Sequence, residues 1–187
     1  ERYENMFRHF DWKYHGKVSA QIYYDEAMSH RIYAASDAFL MPSLFEPCGL
    51  SQLISLRYGT VPIVRETGGL KDTVEPYNEY ESTGTGFSFT NYNAHEMLAI
   101  IRYAKKTYFN DRRAWNEMVL RAMKQDFSWD ASAREYEKLY DGLIEEEARR
   151  KEAIRLQQAR EAAEAALKEA EKALELAKRA EEKAIRK

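Results

Sequence analysis

The chain has 187 residues, of which 44% are hydrophobic and 32% charged, enough for one domain with a hydrophobic core but hardly for two. Its formal net charge of −2 provides no basic surface for counterion release, so nucleic acid is not an expected partner. The single cysteine cannot form an internal disulfide, and no apolar run reaches the roughly 20 residues that span a bilayer. We therefore expect a cytoplasmic protein without a membrane span.

The first 43 residues predict two helices and two strands. The opening segment, "ERYENMFRHFDWKYHG", has no basic start followed by an apolar block, so it predicts an amphipathic helix rather than a signal peptide. Residues 17–24 ("KVSAQIYY") have the β-branched and aromatic composition of a strand. Residues 25–36 predict a helix with an aspartate near its start, and residues 38–43 predict a buried strand ended by proline.

The next part of the chain predicts two strand–loop–helix units in series, an arrangement typical of an α/β fold with a parallel sheet. Residues 51–58 predict a helix that stops at Gly59, and residues 61–65 predict a strand followed by a second glycine loop at 66–74. The remaining predicted elements are a strand at 86–89 and helices at 94–108, at 112–124 and from 130 onward.

Two loops follow predicted strands, "LFEPCGL" at 44–50 and "ETGGL" at 66–70. Ligands of an open parallel sheet bind beyond the carboxyl ends of its strands, so we expect the site there. Glycines allow close backbone approach, and free N–H groups at the start of a helix form a pocket for phosphate. Neither loop is a GxGxxG motif or a P-loop, so the pattern also leaves open an ordinary pair of tight turns.

Two side chains of the first loop are candidates for chemistry. Cys48 lies close to a predicted helix N-terminus, which favours a thiolate, but the nearest histidine in sequence, His30, is on the preceding helix. Glu46 follows the end of a predicted strand. Its carboxylate can accept hydrogen bonds from sugar hydroxyls or stabilise positive charge at an anomeric carbon. Its alternative role is to interact with the dipole of the helix that follows.

The run "HRIYAASDAFLMPSLFEPCGLSQLISLRYGTVPIVRETGGLKDTV" (30–74) closely resembles the bacterial glycogen synthase and plant starch synthase family. These are retaining glucosyltransferases that move glucose from ADP-glucose to the non-reducing end of an α-1,4-glucan. The resemblance extends through "TGTGFSF" to "QDFSWDASAREYEKLY" and covers roughly residues 1–143. It implies the carboxy-terminal half of the second Rossmann-like domain of a B-fold glycosyltransferase, a partial parallel sheet followed here by a long helix.

The resemblance also implies a role for individual residues. Glu46 matches the active-site glutamate that supports an oxocarbenium-like transition state. Cys48 matches a cysteine that lines the donor site, whereas Gly49 and Leu50 match positions whose backbone amides approach the donor diphosphate. Tyr24 matches the tyrosine on which adenine stacks, although it also fits a surface aromatic at a strand end. The loop that shapes the edge of the site is Thr67, Gly68 and Gly69.

The family's donor-phosphate arginine and lysine, and its amino-terminal domain with the acceptor cleft, match nothing in these 187 residues. The resemblance therefore implies a fragment that binds ADP-glucose or ADP, with the α-glucan acceptor belonging to the full-length parent. Without those cations and a second wall against water, we expect the chain alone to be inactive. The exposed sheet edge is expected to pair with the missing half or another chain. The resemblance implies no metal and no cofactor, and a plastid location if the parent is a plant starch synthase.

The composition changes near Gly142, so we predict a second region at 144–187, a charged, alanine-rich helix, after the partial domain at 1–143. Residues at alternating steps of three and four suggest a coiled-coil seam that could join copies of the chain, although a solitary solvated helix fits equally. This extension, which the resemblance does not explain, could be natural or engineered. The predicted seam is Leu156, Ala159, Ala163, Ala166, Ala170, Ala173, Ala177, Ala180 and Ala184.

Two functional classes follow from these residues. The first is a carboxy-terminal fragment of an ADP-glucose-dependent glucan synthase, which the intact "FEPCGL" favours. The second is a non-catalytic nucleotide-binding or assembly module with a coiled-coil tail, which the absent basic loop favours. A cysteine-dependent enzyme is a third class, and it requires a histidine within hydrogen-bond reach of Cys48.

Overall fold

A computed structural model describes residues 1–185. It divides into two compact units, residues 1–126 and the chain from Phe127 onward. The first unit contains a mixed α/β arrangement and the second contains one long helix. The elements in chain order are α1 (Arg2–Lys13), α2 (Glu26–Ala35), β1 (Ala38–Met41), α3 (Ser51–Tyr58), β2 (Val61–Arg65), α4 (Gly68–Thr73), β3 (Phe87–Phe89), α5 (Ala94–Asn110), α6 (Arg112–Met123) and α7 (Trp129–Ile185).

The three strands form one parallel sheet in the order β1–β2–β3. Ile63 in the central strand pairs with Leu40 on one side and with Phe87 on the other. The central strand is buried from Val61 to Val64, as expected for a strand of a sheet covered on both faces. The predicted α/β fold with a parallel sheet is confirmed.

The hydrophobic core lies on both faces of β2. Val61 and Ile63 pack on one face with Phe87 and with side chains of α5 and α6, among them Trp115, whose ring centroid lies 6.1 Å from that of Phe87. Val64 faces the opposite way and packs with Leu70 and Val74. Each fully buried side chain of this size contributes about 1.5–3 kcal/mol to folding. The core therefore fixes the end of β2, where the second glycine loop begins.

Local sequence signals placed several elements correctly. The structure places α3 at Ser51–Tyr58 as predicted, and Gly59 ends it in the left-handed conformation with φ of 76°. The Asp25 side chain accepts a hydrogen bond from Met28 N–H at 2.8 Å and caps α2. The glycine loop at 66–74 is not wholly a loop, because it contains the short helix α4.

The strand predicted at 17–24 is wrong. Residues 18–22 have no assigned secondary structure, although Val18 and Ala20 are partly buried and their neighbours exposed. A strand needs a neighbouring strand to pair with its N–H and C=O groups. In the part of the chain that the structure describes, no strand runs beside this segment, so its composition alone does not make it a strand.

The second unit is a continuous helix, which confirms the long helix predicted after the sheet. It passes through the predicted boundary at 143/144, and that division of the chain stays a prediction, as does pairing through the seam. The described seam residues up to Ala177 are exposed. Ion pairs form at Glu145–Arg149, Glu147–Lys151 and Glu175–Arg179. Such exposed pairs each add only about 0.2–0.5 kcal/mol to the helix.

Replacing Gly142 with alanine is expected to stabilise α7 by about 1 kcal/mol, because glycine in a helix interior costs that much relative to alanine. A Cβ at this position has no atom within 4 Å, so no steric cost opposes the gain. The measurement is thermal unfolding followed by far-ultraviolet circular dichroism. The control is Gly16→Ala, which is also uncrowded but has φ of +74° and should destabilise. Equal shifts in both variants would contradict this account.

Candidate functional site

The candidate site lies at the carboxyl ends of two adjacent parallel strands. The loop of residues 42–50 leaves β1 and enters α3, and Glu66 and Thr67 join β2 to α4. Because β1 and β2 are parallel neighbours, their carboxyl ends lie at the same edge of the sheet. The fold thus brings together the two glycine-containing loops that the sequence pattern singled out.

The two loops touch through backbone atoms, and this requires glycine. Gly69 N–H is shared between the carbonyl oxygens of Glu46 and Pro47, each at 3.2 Å. A Cβ on Gly69 would lie 2.0 Å from the carbonyl oxygen of Cys48, and one on Gly68 would lie 2.1 Å from that of Glu46. Gly68 also has φ of +43°. No other residue allows the loops to approach this closely without displacement.

Gln52, in the first turn of α3, also binds the first glycine loop, the one at residues 42–50. Its Nε2 donates to the carbonyl oxygens of Cys48 and Gly49, both at 2.9 Å, and to Thr73 Oγ1 at 3.2 Å. The Thr73 hydroxyl in turn donates to the carbonyl oxygen of Gly69. A chain of hydrogen bonds therefore connects the first glycine loop to the second through two side chains.

Arg65, the last residue of β2, fastens the beginning of the first loop. Its Nε donates to Ser43 O at 2.9 Å, one terminal nitrogen donates to Leu44 O, and the other donates to Thr90 O at 3.2 Å. The guanidinium group thus joins the ends of all three strands through backbone oxygens. These three hydrogen bonds hold the Arg65 side chain in place at the strand ends.

The carboxylate of Glu46 lies at the carboxyl edge of the sheet, in the loop that follows β1. The side chain is partly buried, and its only hydrogen bond within the described residues is a long one of 3.4 Å from the hydroxyl of Ser43. No lysine or arginine of the described residues lies within ion-pair distance of it. The carboxylate therefore keeps acceptor capacity for a ligand.

The backbone of the first loop has its donors on one side. The four consecutive carbonyl groups from Glu46 to Gly49 accept hydrogen bonds from Gly69 N–H or Gln52 Nε2. In a trans peptide, the N–H points opposite to the C=O of the same unit, and the part of the chain that the structure describes contains no cis peptide. The N–H groups of Gly49 and Leu50 consequently point away from Gln52.

These two N–H groups are available to a ligand. Within residues 1–185, neither donates a hydrogen bond to a protein acceptor. Leu50 is the N-cap of α3 and has no side chain that could cap the helix. The start of α3 therefore presents uncapped N–H groups, which the helix dipole makes favourable for an anion such as phosphate.

The other predicted site residues differ in how they relate to these loops. Cys48 and Leu50 are exposed beside Glu46, and Thr67 is the N-cap of α4 next to Gly68 and Gly69. Tyr24 is 90% exposed and has no ring contact within the described residues. The structure thus brings the loop residues together, whereas Tyr24 stands on the separate segment before α2.

A base for Cys48 is not found at this site. Within the described residues, the thiol has no hydrogen-bond partner. His30 Nδ1 instead lies 3.0 Å from the hydroxyl of Tyr58, and its ring packs against Tyr33 and Tyr58. The described residues also contain no group of three or more His, Cys, Asp or Glu side chains arranged to hold a metal, and no helix long and apolar enough to cross a membrane.

Sequence reasoning missed three side chains that shape the site: Gln52, Arg65 and Thr73. Gln52 left no clear signal, because glutamine is usually exposed and only the structure shows that this one is fully buried. Arg65 binds backbone oxygens that are 21 to 25 residues away. Thr73 binds Gln52, 21 residues away, and Gly69 within α4, so no local pattern predicts these hydrogen bonds.

A parallel sheet connected by helices, with two glycine loops at its carboxyl edge, is typical of Rossmann-like domains. Residues 9–119 match the family of glycosyl transferases group 1, so the chain belongs to that family. The catalytic domain of starch synthase IV from Arabidopsis thaliana, solved bound to ADP and acarbose, is 41% identical with a TM-score of 0.66, over 75% of this chain and 29% of that one. A sucrose-phosphate synthase from Thermosynechococcus elongatus, 24% identical with a TM-score of 0.53 over 76% of this chain and 34% of that one, shows the same fold.

Bacterial glycogen synthases are similar in sequence over most of the chain. That of Lachnospira eligens is 77% identical and that of Lachnoclostridium phytofermentans 68% identical, each over 143 residues, or 76% of this chain. The chain spans 30% of the length of each of these relatives. The predicted resemblance to glycogen and starch synthases is confirmed.

Proposed function

We propose that this chain is the donor-binding part of a glycogen or starch synthase, which transfers glucose from ADP-glucose to the non-reducing end of an α-1,4-glucan. The observation that carries the proposal is the first glycine loop, in which four carbonyl groups face inward and the N–H groups of Gly49 and Leu50 face outward beside Glu46. An anion pocket beside a carboxylate fits a sugar diphosphate, because the phosphates need donors and the anomeric carbon gains positive charge during transfer.

In this proposal each site residue has a chemical role. The amides of Gly49 and Leu50 bind the diphosphate, and the carboxylate of Glu46 stabilises the oxocarbenium-like transition state. Tyr24 stacks on adenine, a contact that suits its exposed ring. The donor site is lined by Cys48, Thr67, Gly68 and Gly69. The nucleotide sugar is a substrate, and no resident metal or cofactor is needed.

We further propose that the 187-residue chain by itself does not transfer glucose. Arg65 is held by hydrogen bonds to three backbone oxygens at the strand ends, so it is not free to reach a phosphate as a direct donor. Transfer also needs a surface that binds the acceptor and excludes water. In the proposed full-length parent these parts come from the remaining length of the protein. The relatives with 77% and 68% identity are bacterial, and from them we infer a cytoplasmic rather than a plastid location.

The proposal predicts that the chain binds ADP and that Tyr24→Ala weakens this binding by roughly tenfold, because stacking on an aromatic ring contributes about 1–3 kcal/mol per base. The measurement is a calorimetric titration with ADP. Tyr23→Ala, at a neighbouring ring that is 59% exposed, is the matched control and should bind ADP as the unchanged chain does. Equal affinity in the Tyr24→Ala variant would remove the stacking role.

A further inference from the structure

Gln52 is completely buried, although its side chain ends in a polar amide. Its Nε2 has three acceptors, the carbonyl oxygens of Cys48 and Gly49 and the hydroxyl of Thr73. Because the residue has no accessible surface, it cannot contact a ligand in the site. It acts on the site only through the atoms that it binds, and two of these belong to the peptide units that carry the N–H groups of Gly49 and Leu50.

We propose that Gln52 is a positioning residue for phosphate binding. By holding the carbonyl oxygens of Cys48 and Gly49 on the buried side, it keeps the N–H groups of Gly49 and Leu50 directed outward at a nucleoside diphosphate. The inference rests on the proposed function, since it names the side chain that orients the amides assigned there. The planarity of the trans peptide makes the coupling direct, because turning a C=O inward turns the N–H of the same unit outward.

The second amide atom of Gln52 shows that packing alone does not require this residue. Its Oε1 is buried and has no hydrogen-bond partner. A buried acceptor without a donor opposes folding, and an apolar side chain of similar shape, such as methionine, would fill the space without that penalty. The feature that methionine lacks is the Nε2 donor, and the atoms that receive its hydrogens are the carbonyl groups of the loop.

Gly49 fits the same arrangement. It has φ of +75°, and a Cβ at this position would lie 2.4 Å from Gln52 Oε1. Any side chain there would displace the amide that orients the loop. Thr73 completes the support, because its hydroxyl accepts from Gln52 and donates to the carbonyl oxygen of Gly69. The direction of the loop amides is therefore tied to α4 as well as to α3.

The test compares the unchanged chain with Gln52→Met by two-dimensional ¹H–¹⁵N NMR during titration with ADP and, separately, with adenosine. We expect the Gly49 and Leu50 amide signals to move in the variant and its Kd for ADP to rise about tenfold, the loss of roughly one good hydrogen bond to a charged group. Affinity for adenosine, which has no phosphate, should not change. The Tm is measured in parallel, because methionine removes the orphaned acceptor but leaves the carbonyl oxygens of Cys48 and Gly49 without the Nε2 donor.

Two further variants separate positioning from general stability. Val119 in α6 is partly buried and packs on the core cluster that contains Ile63 and Phe87. Val119→Ala should therefore lower the Tm and leave the Kd for ADP unchanged. Thr73→Val removes one partner of Gln52 and should weaken ADP binding by about threefold, and it also serves if Gln52→Met does not fold. Loss of ADP affinity in parallel with Tm across all variants would assign Gln52 a purely structural role and overturn the inference.

The outcomes also distinguish this inference from the proposed function. If the unchanged chain does not bind ADP, donor binding by this chain is wrong, and the inference is then decided by the Gly49 and Leu50 signals alone. Unchanged amide signals and hydrogen-exchange rates at these two residues in Gln52→Met would overturn it. Altered signals in both residues, without change at sites remote from the loop, would support it.

Discussion

Replacing Glu46 with glutamine is expected to reduce glucosyl transfer by about a thousandfold, as measured in a full-length chimera. In the chimera, the part of this chain that matches over 143 residues replaces its counterpart in the glycogen synthase of Lachnospira eligens, to which it is 77% identical. Glutamine keeps the size of the side chain but removes the negative charge that our proposal places beside the anomeric carbon. Electrostatic stabilisation of a transition state of this kind is worth roughly 10²–10³ in kcat, and the loss should appear in kcat with little change in KM.

The matched control for this prediction is Cys48→Ser in the same loop. Cys48 is exposed and has no hydrogen-bond partner within the described residues, so the variant should keep most of the activity of the chimera. The assay is transfer of labelled glucose from ADP-glucose to glycogen. Loss of activity in Cys48→Ser with retention in Glu46→Gln would favour the cysteine-dependent class. An inactive chimera before any substitution would favour the non-catalytic module with a helical tail.

Features that depend on neighbouring residues could be predicted from the sequence. The helix at 51–58 ends at Gly59 because a glycine in the left-handed conformation satisfies the last carbonyl groups, and this signal is local. The central strand at 61–65 was evident from its apolar run. The positions of both glycine loops at one sheet edge follow from strands that are parallel and adjacent. For these features, order along the chain and residue type were sufficient.

Features that depend on distant partners could not be predicted. The segment at 17–24 has the composition of a strand, but a strand forms only where another strand lies beside it, and composition carries no information about that neighbour. Gln52 appears in the sequence as one polar residue on a short helix. Its significance depends on carbonyl groups that the loop turns toward it and on Thr73, which is 21 residues away. The outward direction of the loop amides was therefore visible only in three dimensions.

The second large effect is expected when a side chain is added where the two glycine loops touch. Gly69→Ala is expected to lower the free energy of unfolding of the first unit by about 3 kcal/mol, the upper part of the range for overpacking a closely packed site. The added Cβ would lie 2.0 Å from Cys48 O and 2.7 Å from Cys48 Cα, both of them backbone atoms that cannot move aside as a flexible side chain can. An unfavourable backbone φ is not the cause of this loss of stability, because Gly69, unlike Gly68, does not have a positive φ.

The measurement is urea unfolding followed by the fluorescence of Trp115, which is only 3% exposed. Trp12 and Trp129 are exposed and are changed to phenylalanine in all variants so that the signal reports the core of the first unit. Gly142→Ala, where a Cβ meets nothing, should leave this transition in place. If Gly69→Ala also leaves it in place, the loops do not depend on their mutual contact. A large loss of stability would instead mean that the first glycine loop depends on its close contact with the loop on the next strand.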